Sequence, residues 1–295
     1  TTVLHGGLEN HLRTLINDLK RCLADKAQGL KLDAISLLHT VFETHPPRAL
    51  HPFLPEVVPL VTACAEDEWY KLIAQALRVL GVLIAILRPF PKEGGKEEGV
   101  DIDLAASYVP ALYEAIFPRL DAHDIDQEIK EGAILAMGKL VSHLGDRLAE
   151  GQLEQILSLL MEKLKNEITR TPTLKALAAI ATSPLQIDLS PILEGAVEEL
   201  ALFLRQQSRP LKLATLETLI ALVKSNAASM TPPLFELILT EAASLISDAD
   251  LHLSHLALLL TVHVLQASPQ SAGLIVQQHS LPKVLRLAAS PLLQG

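Results

Sequence analysis

The sequence has few aromatic residues, few cysteines and no concentration of positive charge. Of its 295 residues, 3% are Phe, Trp or Tyr, one is Trp and two are Cys. Scarce aromatics beside abundant Leu, Ala, Ile and Val argue against a β-sheet protein and favour helices packed on helices. A formal net charge of −9 without a basic stripe argues against a nucleic-acid-binding protein.

The two cysteines belong to no metal-binding or redox spacing. Cys22 and Cys64 both lie within helical patterns. Three acidic residues follow closely after Cys64, which would raise the pKa of its thiol and oppose a role as nucleophile. Unpaired cysteines of this kind are typical of a reducing compartment, so we expect a cytoplasmic and nuclear protein.

No segment predicts a membrane span, although the mean hydropathy of +0.31 is high. The longest stretch without Asp, Glu, Lys or Arg covers residues 251–282, but its best apolar run is only 256–265. A second apolar run, residues 79–87, is shorter still. Because a span needs roughly 20 apolar residues, we expect buried helices instead.

A unit of about forty residues recurs along the chain. Apolar helical patterns alternate with polar breaks at Asp25, Asp67, Asp121, Asn166, Ser208 and Asp248. Successive breaks lie 42, 54, 45, 42 and 40 residues apart. The long interval contains residues 89–103, whose Gly, Pro and charged residues predict an insertion loop.

This period predicts HEAT repeats, because tetratricopeptide and ankyrin units are shorter and armadillo units contain three helices. The predicted fold class is all-α: a right-handed α-solenoid of HEAT-type hairpins, with about six full repeats and one incomplete repeat. First helices are predicted near 11–24, 53–65, 107–120, 152–165, 190–205, 234–247 and 274–289. Second helices are predicted near 28–44, 68–87, 127–144, 172–182, 209–225 and 251–267.

Residues 1–295 are predicted to form one continuous segment of a longer solenoid. The last helix lacks a partner and the chain does not begin with Met, so we expect the natural chain to continue. Helix starts are predicted from Asp124 with Gln127, as a capping box, and from Thr171-Pro172 and Thr231-Pro232.

The sequence contains no convincing catalytic or metal-binding motif. His252, His255 and His263 share a helix but lack a carboxylate or Cys at a suitable spacing, so a metal site is not predicted. There is no His-Glu dipeptide of the kind that binds iron in HEAT-repeat deoxyhypusine hydroxylases, and no phosphate-binding glycine loop. We therefore predict a protein that is not an enzyme and uses no cofactor.

Charged and polar residues at the hairpin turns and at the starts of second helices are the candidate partner-binding residues. Second helices of HEAT units usually line the concave face, where extended partners lie. The alternative for each residue is a solvated surface position. The candidates are Asp124, Asp126, Glu128, Lys130, Glu131, Asn166, Glu167, Arg170, Arg205, Arg209 and Lys212.

Several long motifs resemble the central region of the cullin-associated and neddylation-dissociated proteins. They are DIDQEIKE at 124–131 with GAILAMG at 132–138, LKNEITR at 164–170, SPLQIDL at 183–189, SDADLH at 247–252 and SPLLQG at 290–295. The resemblance is in order and covers essentially the whole chain. It is looser over the first hundred residues, and the insertion departs from it.

The resemblance implies a HEAT solenoid that wraps around a cullin–RING complex whose cullin lacks its ubiquitin-like modifier. In that family the whole protein promotes exchange of substrate receptors. The chain resembles only the middle third, so we expect a monomeric segment that supplies part of the grip without exchange activity of its own. Its implied partner is the unneddylated cullin–RING complex, with no nucleic acid and no membrane.

Two other classes remain as alternatives. One is a HEAT scaffold of another kind, a transport receptor or phosphatase scaffold, which the single Trp disfavours for the transport case. The other is an enzyme on a HEAT-like fold, such as a base-excision glycosylase. That enzyme would need a basic, aromatic concave face, which the net charge of −9 opposes.

Overall fold

The computed structural model describes residues 8–90 and 101–290. Within those ranges every regular element is a helix and there is no strand. The helices are α1 Leu12–Leu23, α2 Gln28–Thr44, α3 Pro47–Leu50, α4 Leu54–Ala65, α5 Tyr70–Leu87, α6 Ile102–Ser107, α7 Val109–Asp121, α8 Gln127–Leu144, α9 Gln152–Lys165, α10 Arg170–Ala181, α11 Ser190–Leu204, α12 Arg209–Asn226, α13 Pro232–Ser244, α14 Leu251–Ala267, α15 Pro269–Ile275 and α16 Leu281–Ala288. A π turn, Val276–Ser280, lies between the last two.

The predicted alternation of first and second helices is confirmed. Second helices begin at residues 28, 70, 127, 170, 209 and 251, so successive starts are 42, 57, 43, 39 and 42 residues apart. Only the interval that contains the predicted insertion departs from a period near forty. The final first helix begins at Pro269, five residues before the predicted start at 274, and the π turn interrupts it.

The chain divides into two compact units. Among the described residues, unit 1 comprises 8–90, 101–159 and 183–185, and unit 2 comprises 160–182 and 186–290. In unit 1 the second helices α2, α5 and α8 contact one another in sequence, and each of the first helices α1, α4 and α7 packs on the second helix that follows it. Two layers of helices therefore enclose the core of unit 1.

Helix α5 is covered on several sides in unit 1. Leu77, Leu80, Leu83 and Ile84 are fully buried where α2, α4 and α8 surround it. It packs tightly against α8 at Gly132, where an added Cβ would lie 3.1 Å from the Cβ of Leu77. The missing side chain at Gly132 thus lets the two second helices touch.

By length and composition alone, α5 could also cross a membrane. Its 18 residues have a mean hydropathy of 1.8. The apolar run at 79–87 identified in the sequence covers only half of this helix and is too short to predict a span. In the described fold, 61% of this helix is buried against other helices. A core helix of a repeat protein is covered on several sides, so the same composition follows from its position.

Unit 2 repeats the two-layer arrangement. Helices α10, α12 and α14 contact one another in sequence, and α11 contacts α13, which in turn contacts α15. Phe203, on α11, is only 2% exposed and is among the largest fully buried side chains. The core of unit 2 also contains Phe235 and is mostly aliphatic, with Leu219 and Ile238 inaccessible to solvent.

Local capping corrects two details of the predictions. The predicted insertion at 89–103 ends too late, because the Asp101 side chain accepts a hydrogen bond of 2.9 Å from the Leu104 N–H and starts α6 at Ile102. Residues 91–100 of that insertion lie outside the described residues. Asp126 caps α8, whereas Asp124 does not, and the Glu128 N–H donates to Asp126 Oδ1 at 2.8 Å.

The two threonine–proline predictions have different outcomes. Thr231 is the N-cap of α13 and Pro232 is its first residue, as predicted, although the threonine side chain makes no capping hydrogen bond. Helix α10 instead begins at Arg170, so Thr171 and Pro172 lie inside its first turn. Proline is tolerated there because the first-turn N–H groups have no partner within the helix.

Candidate partner-binding surface

All eleven candidate residues lie at hairpin turns or in the first turns of second helices. In unit 1, Asp124 and Asp126 lie between α7 and α8, and Glu128, Lys130 and Glu131 lie in the first turns of α8. In unit 2, the candidates are Asn166 and Glu167 after α9, Arg170 opening α10, Arg205 ending α11, and Arg209 and Lys212 in the first turn of α12. Lys130, Arg170 and Lys212 are half-buried and the others are exposed.

Two of the unit 1 candidates are occupied within the fold. Asp126 serves as the cap described above, and Glu128 Oε2 lies 3.4 Å from Arg78 Nη2 on α5. Both side chains of this pair are roughly half exposed, so the bridge contributes little to stability. The bridge connects α5 and α8, which are the second helices of two neighbouring repeats.

Arg209 and Asp250 form the best-defined ion pair of unit 2. Arg209 Nε donates to Asp250 Oδ2 at 2.5 Å and Nη2 donates to Oδ1 at 3.3 Å. Asp250 also caps α14 by accepting from the N–H groups of His252 and Leu253. The hydrogen bond from Arg209, followed by that from the Leu253 N–H, lowers the pKa of Asp250 to about 2.

Arg205 is also paired internally. Its Nη2 donates to Glu241 Oε1 at 2.6 Å, joining the end of α11 to α13. Glu241 is buried, whereas Arg205 is exposed. A buried carboxylate needs a partner, so the first role of Arg205 is to pair with Glu241 and stabilise the packing of unit 2.

Arg170 and Asn166 are structural as well. The Arg170 guanidinium lies 4.3 Å from the centre of the buried Phe203 ring, and its Nη2 donates to the Lys165 carbonyl at 3.4 Å. Asn166 Oδ1 accepts from the Ile168 N–H at 3.0 Å and closes the turn before α10. The ring contact holds α10 of one repeat against α11 of the next.

Five candidates keep unengaged side chains. Among the described residues, none of them forms a side-chain hydrogen bond or an ion pair. They are Asp124, Lys130, Glu131, Glu167 and Lys212. These residues are therefore the part of the predicted set that is free to contact a partner.

Other features considered in the sequence carry no site of this kind. Burial raises the pKa of the Cys64 thiol, in the direction expected from the sequence. Within residues 8–90 and 101–290, no group of three His, Cys, Asp or Glu side chains is positioned to hold a metal ion. His252 and His255 are exposed on α14.

Acidification is expected to remove the stabilisation that the Arg209–Asp250 pair provides. The pKa of Asp250 is about 2 against an ordinary 3.8, so its contribution is complete above pH 3.8 and is lost as the pH falls toward 2. Asp250→Asn keeps a capping oxygen but removes the charge. Thermal unfolding by circular dichroism should show the variant less stable than the wild type at pH 7, with the difference narrowing below pH 3.8.

The control for this measurement is Asp124→Asn, at an aspartate without a partner among the described residues. Its unfolding temperature should follow that of the wild type at every pH. A gap between Asp250→Asn and the wild type that stays constant down to pH 2 would show that the ion pair does not account for it.

The stacked hairpins define the class of protein as an α-solenoid scaffold of HEAT or armadillo type. A designed armadillo repeat protein in complex with a (KR)4 peptide superposes with a TM-score of 0.60, covering 84% of this chain and 98% of that one at 15% identity. An engineered protein superposes with a TM-score of 0.61, covering 84% of this chain and 97% of that chain at 17% identity. Identities this low show the fold alone.

Curated relatives then point to one family of proteins. The cullin-associated NEDD8-dissociated protein 1 of Drosophila melanogaster is 37% identical over 99% of this chain, and protein 2 of Mus musculus is 41% identical over 99%. The Dictyostelium discoideum protein 1 is 32% identical over 99%. Over 99% of its length the chain is related to the cullin-associated NEDD8-dissociated proteins, of which it corresponds to a segment.

Two details qualify this match. A family model described as "CAND1-like, TPR repeats" matches residues 6–137, although the hairpin spacing is that of HEAT rather than tetratricopeptide units. The chain covers 23% of the length of each of the three relatives, so it corresponds to about a quarter of such a protein rather than the predicted third.

Proposed function

We propose that this chain is a protein-binding scaffold segment that associates with cullin–RING ubiquitin ligase complexes. The observation that carries the proposal is the similarity over 99% of the chain to proteins named as cullin-associated. The fold supports it, because stacked hairpins expose a long surface while each repeat contacts only its neighbours. No catalytic step is part of the proposal.

The proposal extends to the state of the cullin and to the role of the whole protein. The preferred partner is the complex whose cullin lacks its ubiquitin-like modifier, and the full-length protein promotes exchange of substrate receptors. This segment is monomeric and supplies part of the surface that contacts the cullin–RING complex, without exchange activity of its own. It acts in the cytoplasm and nucleus. Neither nucleic acid nor a membrane is a partner.

The unengaged residues of unit 1 offer a direct test. The double variant Asp124→Lys/Glu131→Lys is expected to reduce capture of the chain on an immobilised, unmodified cullin–RING complex by about tenfold, since like charges then face the surface that received these carboxylates. Its unfolding temperature should be unchanged, because neither side chain has a partner among the described residues.

The matched control is Glu114→Lys/Glu150→Lys, which makes the same change of charge at exposed positions of unit 1 away from the α7–α8 turn. Capture of the control should equal that of the wild type. Equal capture of all three proteins would place the contact elsewhere, and no capture of the wild type would overturn the proposed function.

A further inference from the structure

Across helices α10 to α14 of unit 2, charge is sorted by layer. The first helices α11 and α13 contain five glutamates and neither Lys nor Arg. The second helices α10, α12 and α14 contain five Lys and Arg residues, three histidines and a single acidic residue, Glu217. Among the described first helices of unit 2, basic residues lie at its two ends, with Lys163 and Lys165 in the last turn of α9 and Lys283 and Arg286 on α16.

Three of the cations on the second-helix layer are unengaged. Arg170 is stacked on Phe203 and Arg209 is paired with Asp250, as described above. Among the described residues, Lys175, Lys212 and Lys224 form no ion pair or side-chain hydrogen bond. Because the chain as a whole carries a net charge of −9, this excess of free cations on one face is local.

The same layer also exposes apolar side chains. Val262 on α14 is 46% exposed, and Leu213 and Ile220 on α12 are half-buried. The helices α10, α12 and α14 contact one another in sequence, so these side chains belong to one continuous layer. Protein-binding surfaces combine partly exposed apolar residues with polar and charged ones, and this layer contains both.

We propose that the face formed by α10, α12 and α14 of unit 2 binds an acidic segment of the partner, with Lys175, Lys212 and Lys224 facing its carboxylates. This inference rests on the proposed function and names the chemistry that the partner presents to this face. An acidic segment is attracted to these lysines and repelled by the glutamates of α11 and α13, which orients it onto the second-helix layer.

Zero-length carbodiimide cross-linking tests the inference, because it joins a lysine amine only to a carboxylate in direct contact. The wild-type chain is mixed with the purified unmodified cullin–RING complex, cross-linked and analysed by mass spectrometry. We expect links from Lys175, Lys212 or Lys224 to Asp or Glu residues of the complex. Links from Glu194, Glu198 or Glu236 to partner lysines would overturn the inference while leaving the proposed function standing.

The affinity of charge-reversal variants for the complex gives a second, quantitative test. Lys175→Glu/Lys224→Glu should weaken binding to the same complex by about tenfold or more, and raising the salt concentration should narrow the difference. The control Glu194→Lys/Glu198→Lys, at exposed positions of α11, should bind within about twofold of the wild type. Circular dichroism confirms that all three proteins are folded.

The outcomes separate the two proposals. If the wild type binds and the lysine reversal binds equally well, the acidic segment does not lie on this face and the inference fails alone. If the α11 reversal weakens binding instead, the partner lies on the first-helix layer and the inference again fails alone. If the wild type does not bind the complex at all, the proposed function fails and the inference fails with it.

Discussion

Replacing Phe203 with alanine is expected to destabilise unit 2 by about 3–5 kcal/mol, the largest effect that a single substitution should have there. The ring is 2% exposed, and its loss leaves a cavity between α11 and its neighbours. It also removes the surface on which the Arg170 guanidinium lies, at 4.3 Å from the ring centre. Both losses act at one junction between successive repeats.

The neighbouring residue supplies the control. Leu202 precedes Phe203 on the same helix but is 48% exposed, so Leu202→Ala should change stability by no more than about 0.5 kcal/mol. Hydrogen exchange of the α11 and α13 amides during urea titration reports on unit 2 directly. Similar losses of protection for the two variants would contradict the packing described for α11.

Substituting leucine for Gly132 is expected to destabilise unit 1 by about 1–3 kcal/mol or more, because the added side chain has no room against α5. Even a Cβ at this position would lie 3.1 Å from the Cβ of Leu77 and 3.5 Å from the Ala74 carbonyl oxygen. Either α5 or α8 must shift, and the second-helix layer shifts with it.

Gly81, on α5 at the same helix junction, is the matched control. A Cβ there would meet its nearest atom, the Cα of Ala136, at 3.8 Å, which is ordinary contact. Gly81→Ala should therefore be neutral or stabilise by up to about 1 kcal/mol, since glycine is a poor helix former. Trp69 is the only tryptophan of the chain and lies in unit 1, so its fluorescence during urea unfolding reports on both variants. A Gly132→Leu protein as stable as Gly81→Ala would show that α5 and α8 are not in close contact.

The fold was largely predictable because the same pattern of two apolar helices recurs along the chain at one spacing. A single apolar helix such as α9 could belong to many folds, but six hairpins at one period leave few architectures. The same sequence pattern could not predict the end of the insertion, since the start of α6 depends on the Asp101 cap and not on apolar spacing. Similarly, both Asp124 and Asp126 are reasonable caps, and only the backbone geometry selects Asp126.

The binding surface was less predictable than the fold. The sequence placed Arg170, Arg205 and Arg209 among the partner-binding candidates, and the structure shows each held by a residue one repeat further along the chain. Those partners, Phe203, Glu241 and Asp250, lie 33, 36 and 41 residues away. Contacts between repeats at varying offsets leave no local pattern, so side-chain roles at the turns required the structure.

Affinity for a cullin–RING complex with and without its ubiquitin-like modifier tests the central claim most directly. The immobilised complex, prepared in both forms, is titrated with this chain, and the two dissociation constants are compared by interferometry. We predict saturable binding to the unmodified form and binding at least about tenfold weaker to the modified form. Equal affinity for both forms would contradict the proposed preference, and absence of binding to either form would contradict the assignment of this segment as part of a cullin-binding scaffold.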